Sequence, residues 1–171
     1  YLLDDESGNI YCIDPYSGDL VLDYLKQLTG DLKAVINTHE HGDHTGGNFD
    51  LVQKTGCEIW AHQNAADKIS GIDRFFKGGE MIELDQSFKL KILDTPGHTF
   101  AHLCIMLLKD DTPECIFTGD TLFNAGVGNC HNGGDPEILF KTIHQQFQNL
   151  SNEVLVYPGH DYLENNLQFT L

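Results

Sequence analysis

With 171 residues, 40% of them hydrophobic and 21% charged, the chain has the length and composition of one globular domain with a sizeable core. Its net charge of −16 argues against nucleic acid or an anionic membrane as partner, because no basic stripe exists to neutralise phosphates. No apolar stretch approaches a bilayer span, and five cysteines without paired short spacings read as thiols of a reducing cytoplasm, not as a disulfide framework.

In chain order, Ile10–Ile13 reads as a strand. Ser17 then caps a helix whose apolar stripe is Leu20, Val21, Tyr24, Leu25 and Leu28, with Gly30 as the stop. Leu32–Asn37 is a strand that delivers a polar loop. Helices are predicted over Asn48–Thr55 and His62–Ile69, flanking a strand at Ile59-Trp60-Ala61. Strands follow at Met81–Leu84, Phe88–Leu93, Leu103–Leu108 and Glu114–Phe117. Asp135 caps a helix over Pro136–Leu150, with Pro136 at its first position and Ile138, Leu139, Ile143, Phe147 and Leu150 as its buried face. Val154–Tyr157 is the last strand. Cys12, Cys57, Cys104 and Cys115 fall in or beside apolar runs and read as core residues, whereas Cys130 lies in a polar loop. The chain opens on Tyr1 without an initiator Met, which leaves a removed targeting segment open. No repeat, low-complexity segment or linker interrupts this pattern, so one domain over 1–171 is expected.

The loop after the third strand carries the chemistry. Thr38-His39-Glu40-His41-Gly42-Asp43-His44 places four metal-capable side chains within six positions. On an extended loop, His39 and His41 point to one side and can share an ion, while Asp43 and His44 can reach a second. Two ions need further ligands. His98, Asp120 and His160 each follow a strand-like run, and each is preceded by glycine (Gly97, Gly119, Gly159), which permits a sharp turn and close backbone approach.

These residues resemble the metallo-β-lactamase superfamily, whose His-x-His-x-Asp-His signature matches the first cluster and whose later ligands match His98, Asp120 and His160 in order. Thr118-Gly119-Asp120-Thr121-Leu122-Phe123, Pro158-Gly159-His160-Asp161-Tyr162 and Asn165-Asn166-Leu167-Gln168-Phe169 resemble its glyoxalase II (hydroxyacylglutathione hydrolase) branch. The resemblance implies an αββα sandwich of two mixed sheets between outer helices. It implies one metal on His39, His41 and His98, a second on Asp43, His44 and His160, and Asp120 bridging. The cofactors would be two divalent ions, zinc first, with iron or manganese as alternatives. A water between them would serve as hydroxide to attack the carbonyl of a small thioester such as S-(2-hydroxyacyl)glutathione, with Asp43 orienting it. Tyr162 matches a position whose phenol approaches substrate.

Departures from that branch bear on the substrate. Gly126-Val127-Gly128-Asn129 puts Asn129 where the branch has a basic residue that helps bind glutathione, and His131 stands near an expected aromatic position. The branch's first strand and C-terminal helical domain lie outside this sequence. The alternatives are hydrolysis of a lactone or phosphodiester, a persulfide dioxygenase with a single iron, and a non-catalytic metal-binding module. A flavodiiron type is disfavoured by His41, and a β-lactamase by Asp120, where those enzymes commonly place cysteine. His62, His102 and His144 match no motif position and read as structural or surface residues.

Overall fold

The computed structural model describes residues 1–5 and 7–170. Short β-branched and aromatic runs form two five-stranded sheets. In the first, β1 (Leu2–Asp4), β2 (Asn9–Ile13), β3 (Asp31–Ile36), β4 (Glu58–His62) and β5 (Arg74–Phe76) lie side by side in sequence order. Only β1 runs antiparallel to its neighbour. In the second, β6 (Met81–Glu83), β7 (Phe88–Asp94), β8 (Leu103–Lys109) and β9 (Thr112–Gly119) form an antiparallel meander, and β10 (Leu155–Pro158) adds in parallel to β9.

Strand alternation sends one face of each sheet into a shared core. Tyr11, Ile13, Ala34, Ile36, Trp60 and Phe76 from the first sheet meet Ile82, Leu90, Ile92, Leu103, Ile105 and Phe117 from the second. The opposite face of the first sheet, with Ile10, Cys12, Leu32 and Val35, packs against α1 (Gly18–Leu25) and α3 (Asn48–Thr55) through Val21, Leu22, Leu25, Leu51 and Val52. The outer face of the second sheet takes Phe147 and Leu150, which follow α4 (Pro136–Gln146). The layers are therefore helix, sheet, sheet, helix, as the resemblance implies. A register shift between Ile10 and Tyr11 opposite β3 keeps Leu32 outward although Ala34 points inward.

Several predicted boundaries move. No helix forms over His62–Ile69; β4 runs through His62, whose ring accepts the Asn64 N–H to cap a single 3-10 turn at Gln63–Ala65. In α1, Leu20 and Tyr24 are 60% and 62% exposed, whereas Val21 and Leu25 of the predicted stripe, with Leu28 just beyond the helix, pack on the sheet together with Leu22. Leu20 and Tyr24, one turn apart, share the solvent face. Helix α4 stops at Gln146 instead of Leu150, although Leu150 still packs on the sheet. The three-residue β5, the single-turn α2 (Gly42–Thr45) and α5 (Leu163–Thr170) were not predicted.

Leu90, fully buried between the sheets, should cost about 2–5 kcal/mol on truncation to alanine. Leu20→Ala should stay within about 0.5 kcal/mol. Urea denaturation of the two variants checks this, and a large Leu20 effect would restore the predicted stripe.

Candidate metal centre

Strands β2, β3, β7, β9 and β10 all end at one rim, and their following residues form the site. The two sheets are tied there by the Leu103 N–H donating to the Thr38 carbonyl at 2.7 Å. Asp14, just after β2, accepts from both the Thr38 N–H (2.7 Å) and the Thr38 hydroxyl (2.6 Å), which fixes the start of the histidine loop. The buried Asn37–Asn48 amide pair closes that loop, and Asn37 Nδ2 also donates to the His44 carbonyl at 3.0 Å.

Two clusters of ring nitrogens and carboxylate oxygens result. His39 Nε2 and His98 Nε2 each lie 3.1 Å from His41 Nδ1. On the other side, His160 Nε2 is 3.3 Å from His44 Nε2 and 3.2 Å from Asp43 Oδ2. Each trio could hold one metal ion. Between them lies the Asp120 carboxylate. Its Oδ2 is 3.5 Å from His98 Nε2, while its Oδ1 is 3.3 Å from His44 Nε2 and 3.5 Å from His160 Nε2.

Three observations fit this arrangement to cations. Asp120 Oδ1 is buried with no hydrogen-bond partner, which is costly for a carboxylate unless a positive charge meets it. A Cβ on Gly159 would sit 2.6 Å from that oxygen and 2.7 Å from His44 Cε1, so glycine there keeps the space open. The ring nitrogens facing away from the clusters also have partners. His39 Nδ1 meets Thr38 Oγ1 at 3.0 Å, His98 Nδ1 meets the Asn129 carbonyl at 2.6 Å, and His44 Nδ1 meets Asp14 Oδ2 at 2.9 Å. Such partners fix the ring orientation and tautomer of a metal-binding histidine.

The same burial sets protonation in the apoprotein. Burial, reinforced by four neighbouring imidazoles, holds His39 well below the usual histidine range, and burial also lowers His98. Burial alone would lower His44 too, but the carboxylates of Asp120 and Asp14 on either side of the ring outweigh it and raise its pKa to about 10. Those same contacts hold Asp120 below the usual carboxylate range against its burial.

The remaining residues singled out in the sequence fall nearby in unequal ways. Tyr162 is half-exposed and stacks on the His160 ring at 5.2 Å. The exposed Asn129 meets the cluster through its backbone carbonyl, and its side chain accepts from the His131 N–H at 3.1 Å. His131 lines a 620 Å³ groove with Val127, Leu139 and Phe140, outside the two trios. None of the five cysteines is paired, and burial pushes Cys12 and Cys104 up to about 12, so neither is an activated thiol.

Three supporting residues were not anticipated. Asp14 backs Thr38 and His44, as above. Glu40 is buried and bonds Lys68 and, at 2.9 Å, Thr99 Oγ1, so it ties the first histidine loop to the segment carrying His98. His102, read from sequence as an ordinary structural histidine, is fully buried against Asp120 and His39. The other two unmatched histidines keep to that reading. His62 is buried beside Asp94, and His144 is bonded to its own helix.

A profile described as the metallo-beta-lactamase superfamily matches residues 13–160. The chain belongs to that superfamily. A hydroxyacylglutathione hydrolase of Nitrosococcus oceani is 48% identical over 166 residues, covering 97% of this chain. The chain spans 62% of that relative, less than two thirds of its length. Among solved structures of similar fold, ETHE1 from Myxococcus xanthus superposes with a TM-score of 0.83 at 30% identity, over 95% of this chain and 70% of that one. TTHA1623, solved in a di-iron-bound form, gives 0.72 at 27% identity, over 94% of this chain and 85% of its own. Membership implies divalent metal ions, and the His/Asp trios supply a donor set for them.

Because the folded pKa of His44 is raised, its stabilising contribution is complete below about 6.5 and disappears as pH rises through about 10. The chelated protein should therefore lose stability between pH 7 and 10 relative to a His44→Gln variant. Metal uptake at pH 7 should release a proton, read by calorimetry in buffers of different ionisation enthalpy. Uptake without proton release would contradict the protonated His44.

Proposed function

We propose that this chain is the metal-binding catalytic part of a thioester hydrolase acting on S-(2-hydroxyacyl)glutathione or a close analogue. The observation that carries the reading is the Asp120 carboxylate, with one oxygen toward each trio of ligands. The identity shared with a hydroxyacylglutathione hydrolase supports the substrate class.

In this reading His39, His41 and His98 would hold one divalent ion, Asp43, His44 and His160 would hold the other, and Asp120 would serve both. Zinc is the first assignment; imidazole and carboxylate donors also suit iron and manganese, and the di-iron form of TTHA1623 makes iron the nearer alternative. The bound pair supplies an acidified water as nucleophile and Lewis acidity for the carbonyl. The chain's residues do the rest. His44, His98 and His160 flank Asp120 and hold its charge in place. Asp43, half-exposed at the rim, directs Oδ2 to His160, and its other oxygen would orient the attacking water. Tyr162, stacked on His160, approaches the acyl group. Thiolate is a good leaving group, so the site needs no dedicated general acid. Five unpaired cysteines suit a cytoplasmic setting, and a small thioester needs neither membrane nor nucleic acid as partner.

Asn129 and His131 tune binding of the thiol arm. Asn129 lacks the positive charge that would pair with a glutathione carboxylate, a contact worth about 1.5–3 kcal/mol, or roughly tenfold to a hundredfold in affinity.

With metal-replete protein, kcat/KM for S-lactoylglutathione should exceed that of a neutral thioester lacking glutathione by at least about tenfold. Equal rates would point to another thiol partner, and no turnover of either would sink the thioester reading. Asn129→Lys should lower KM for the glutathione ester by roughly tenfold to a hundredfold with little change in kcat. An unchanged KM would remove Asn129 from the binding site.

A further inference from the structure

His102 carries no ligand atom of either trio, yet it is among the most completely buried polar residues of the chain. Its Nε2 lies 3.1 Å from the backbone nitrogen of Asp120. A peptide nitrogen has only its N–H to offer, so His102 Nε2 must be the bare, accepting nitrogen. The proton then sits on Nδ1, which faces Thr95 Oγ1 at 2.9 Å and Thr121 Oγ1 at 3.0 Å, both able to accept it. Both threonine hydroxyls have other acceptors for their own protons. Thr95 donates to Cys104 Sγ at 3.3 Å, and Thr121 donates to the Thr95 carbonyl at 3.4 Å. The ring is thus held neutral in a single tautomer by donors and acceptors on both edges. One face of it also stacks on His39, with centroids 4.9 Å apart and planes 22° apart.

The backbone around Asp120 is shaped to reach this imidazole. Gly119 has φ +47°, and a Cβ there would stand 2.8 Å from His102 Nε2 and 2.5 Å from Thr38 Oγ1. Its carbonyl accepts the Gly159 N–H at 2.8 Å, which links the same turn to His160. The Asp120 side chain has no fixing contact besides the imidazoles of the trios: Oδ1 has no hydrogen bond at all. With no hydrogen bond to fix Oδ1, the aim of the carboxylate depends on where its backbone is held as well as on the imidazoles around it.

We infer that His102 is a positioning residue, which anchors the Asp120 backbone N–H so that the carboxylate divides its two oxygens between the two metal sites. The inference rests on the bridging reading of Asp120. Without the anchor, the turn at Gly119-Asp120 rotates, and a carboxylate serving one ion well serves the other poorly. The second metal equivalent weakens more than the first.

Two conservative variants separate anchoring from space-filling. In His102→Gln the amide oxygen reaches as far as Nε2 and can still accept from Asp120. In His102→Asn the polar group reaches only to Nδ1, so the threonines keep a partner and Asp120 loses its own. Stepwise cobalt binding by chelator competition, normalised to folded apoprotein from its melting curve, reads both sites without relying on turnover. The visible cobalt spectrum reports coordination of the second equivalent. The second-equivalent affinity should fall roughly tenfold to a hundredfold in His102→Asn and stay within about threefold of wild type in His102→Gln. Equal affinities in both variants, or losses that simply follow the drop in apoprotein melting temperature, would overturn the inference. Should neither variant fold, Thr95→Val combined with Thr121→Val keeps the imidazole but removes the acceptors that fix its tautomer. A weakened second equivalent there supports the anchor, and wild-type affinity refutes it. Wild-type protein that binds only one cobalt would instead sink the bridging reading, a result distinct from the variants matching a two-cobalt wild type.

Discussion

A buried carboxylate without a proton donor is an unstable thing to build, and the rim of this fold is organised around one. Asp120 sits between imidazoles from three separate segments, with Oδ1 shielded from water and unpaired. The adjacent His44 imidazole offsets part of the cost in the apoprotein. Cations would offset more, and they would also relieve the crowding of ring nitrogens about 3 Å apart on either side. The site is thus poorly satisfied as protein alone and well matched to two positive charges.

The rest of the architecture serves that arrangement. Two sheets with a common core bring the ends of five strands to one rim, and the Thr38–Leu103 hydrogen bond pins them together. Ligands then come from loops whose ends are fixed by strands, the geometry in which short loops are most exact. A layer of neutral and anionic partners lies beneath: Asp14 bonds the His44 ring and Thr38, Glu40 reaches across to Thr99, and His102 lies under Asp120. It braces the segments that carry the ligands. The exposed side of the site is plainer. Asn129, His131 and Tyr162, proposed above as substrate contacts, have exposed side chains or lie outside the two trios.

The sequence reveals the two halves of this site unequally. The ligands are legible because their chemistry is local: His39, His41, Asp43 and His44 crowd one loop, and His98, Asp120 and His160 each pair a glycine with a strand end. The sheet strands are legible for the same reason, since period-two alternation needs only a few residues. The supporting layer is not. His102 sits four residues past His98, and only the fold reveals that its ring meets a backbone N–H eighteen positions later. Asp14 ends a strand as Asp120 does, but without a neighbouring glycine or histidine to mark it. In α1 the expected stripe is too wide: Leu20 and Tyr24 match the helical period beside Val21 and Leu25, and only packing against β2 and β3 shows that the first pair faces solvent. The three-residue β5 and four-residue α2 hold too little pattern to be read, although the equally short β6 and β10 are legible from their apolar runs.

The central claim, that one carboxylate joins two metal sites, is tested most directly by metal content per folded chain after equilibrium dialysis against limiting free metal. Wild-type protein should retain two equivalents, and Asp120→Ala no more than one. A single equivalent in the wild type, or two retained without the carboxylate, would contradict the account.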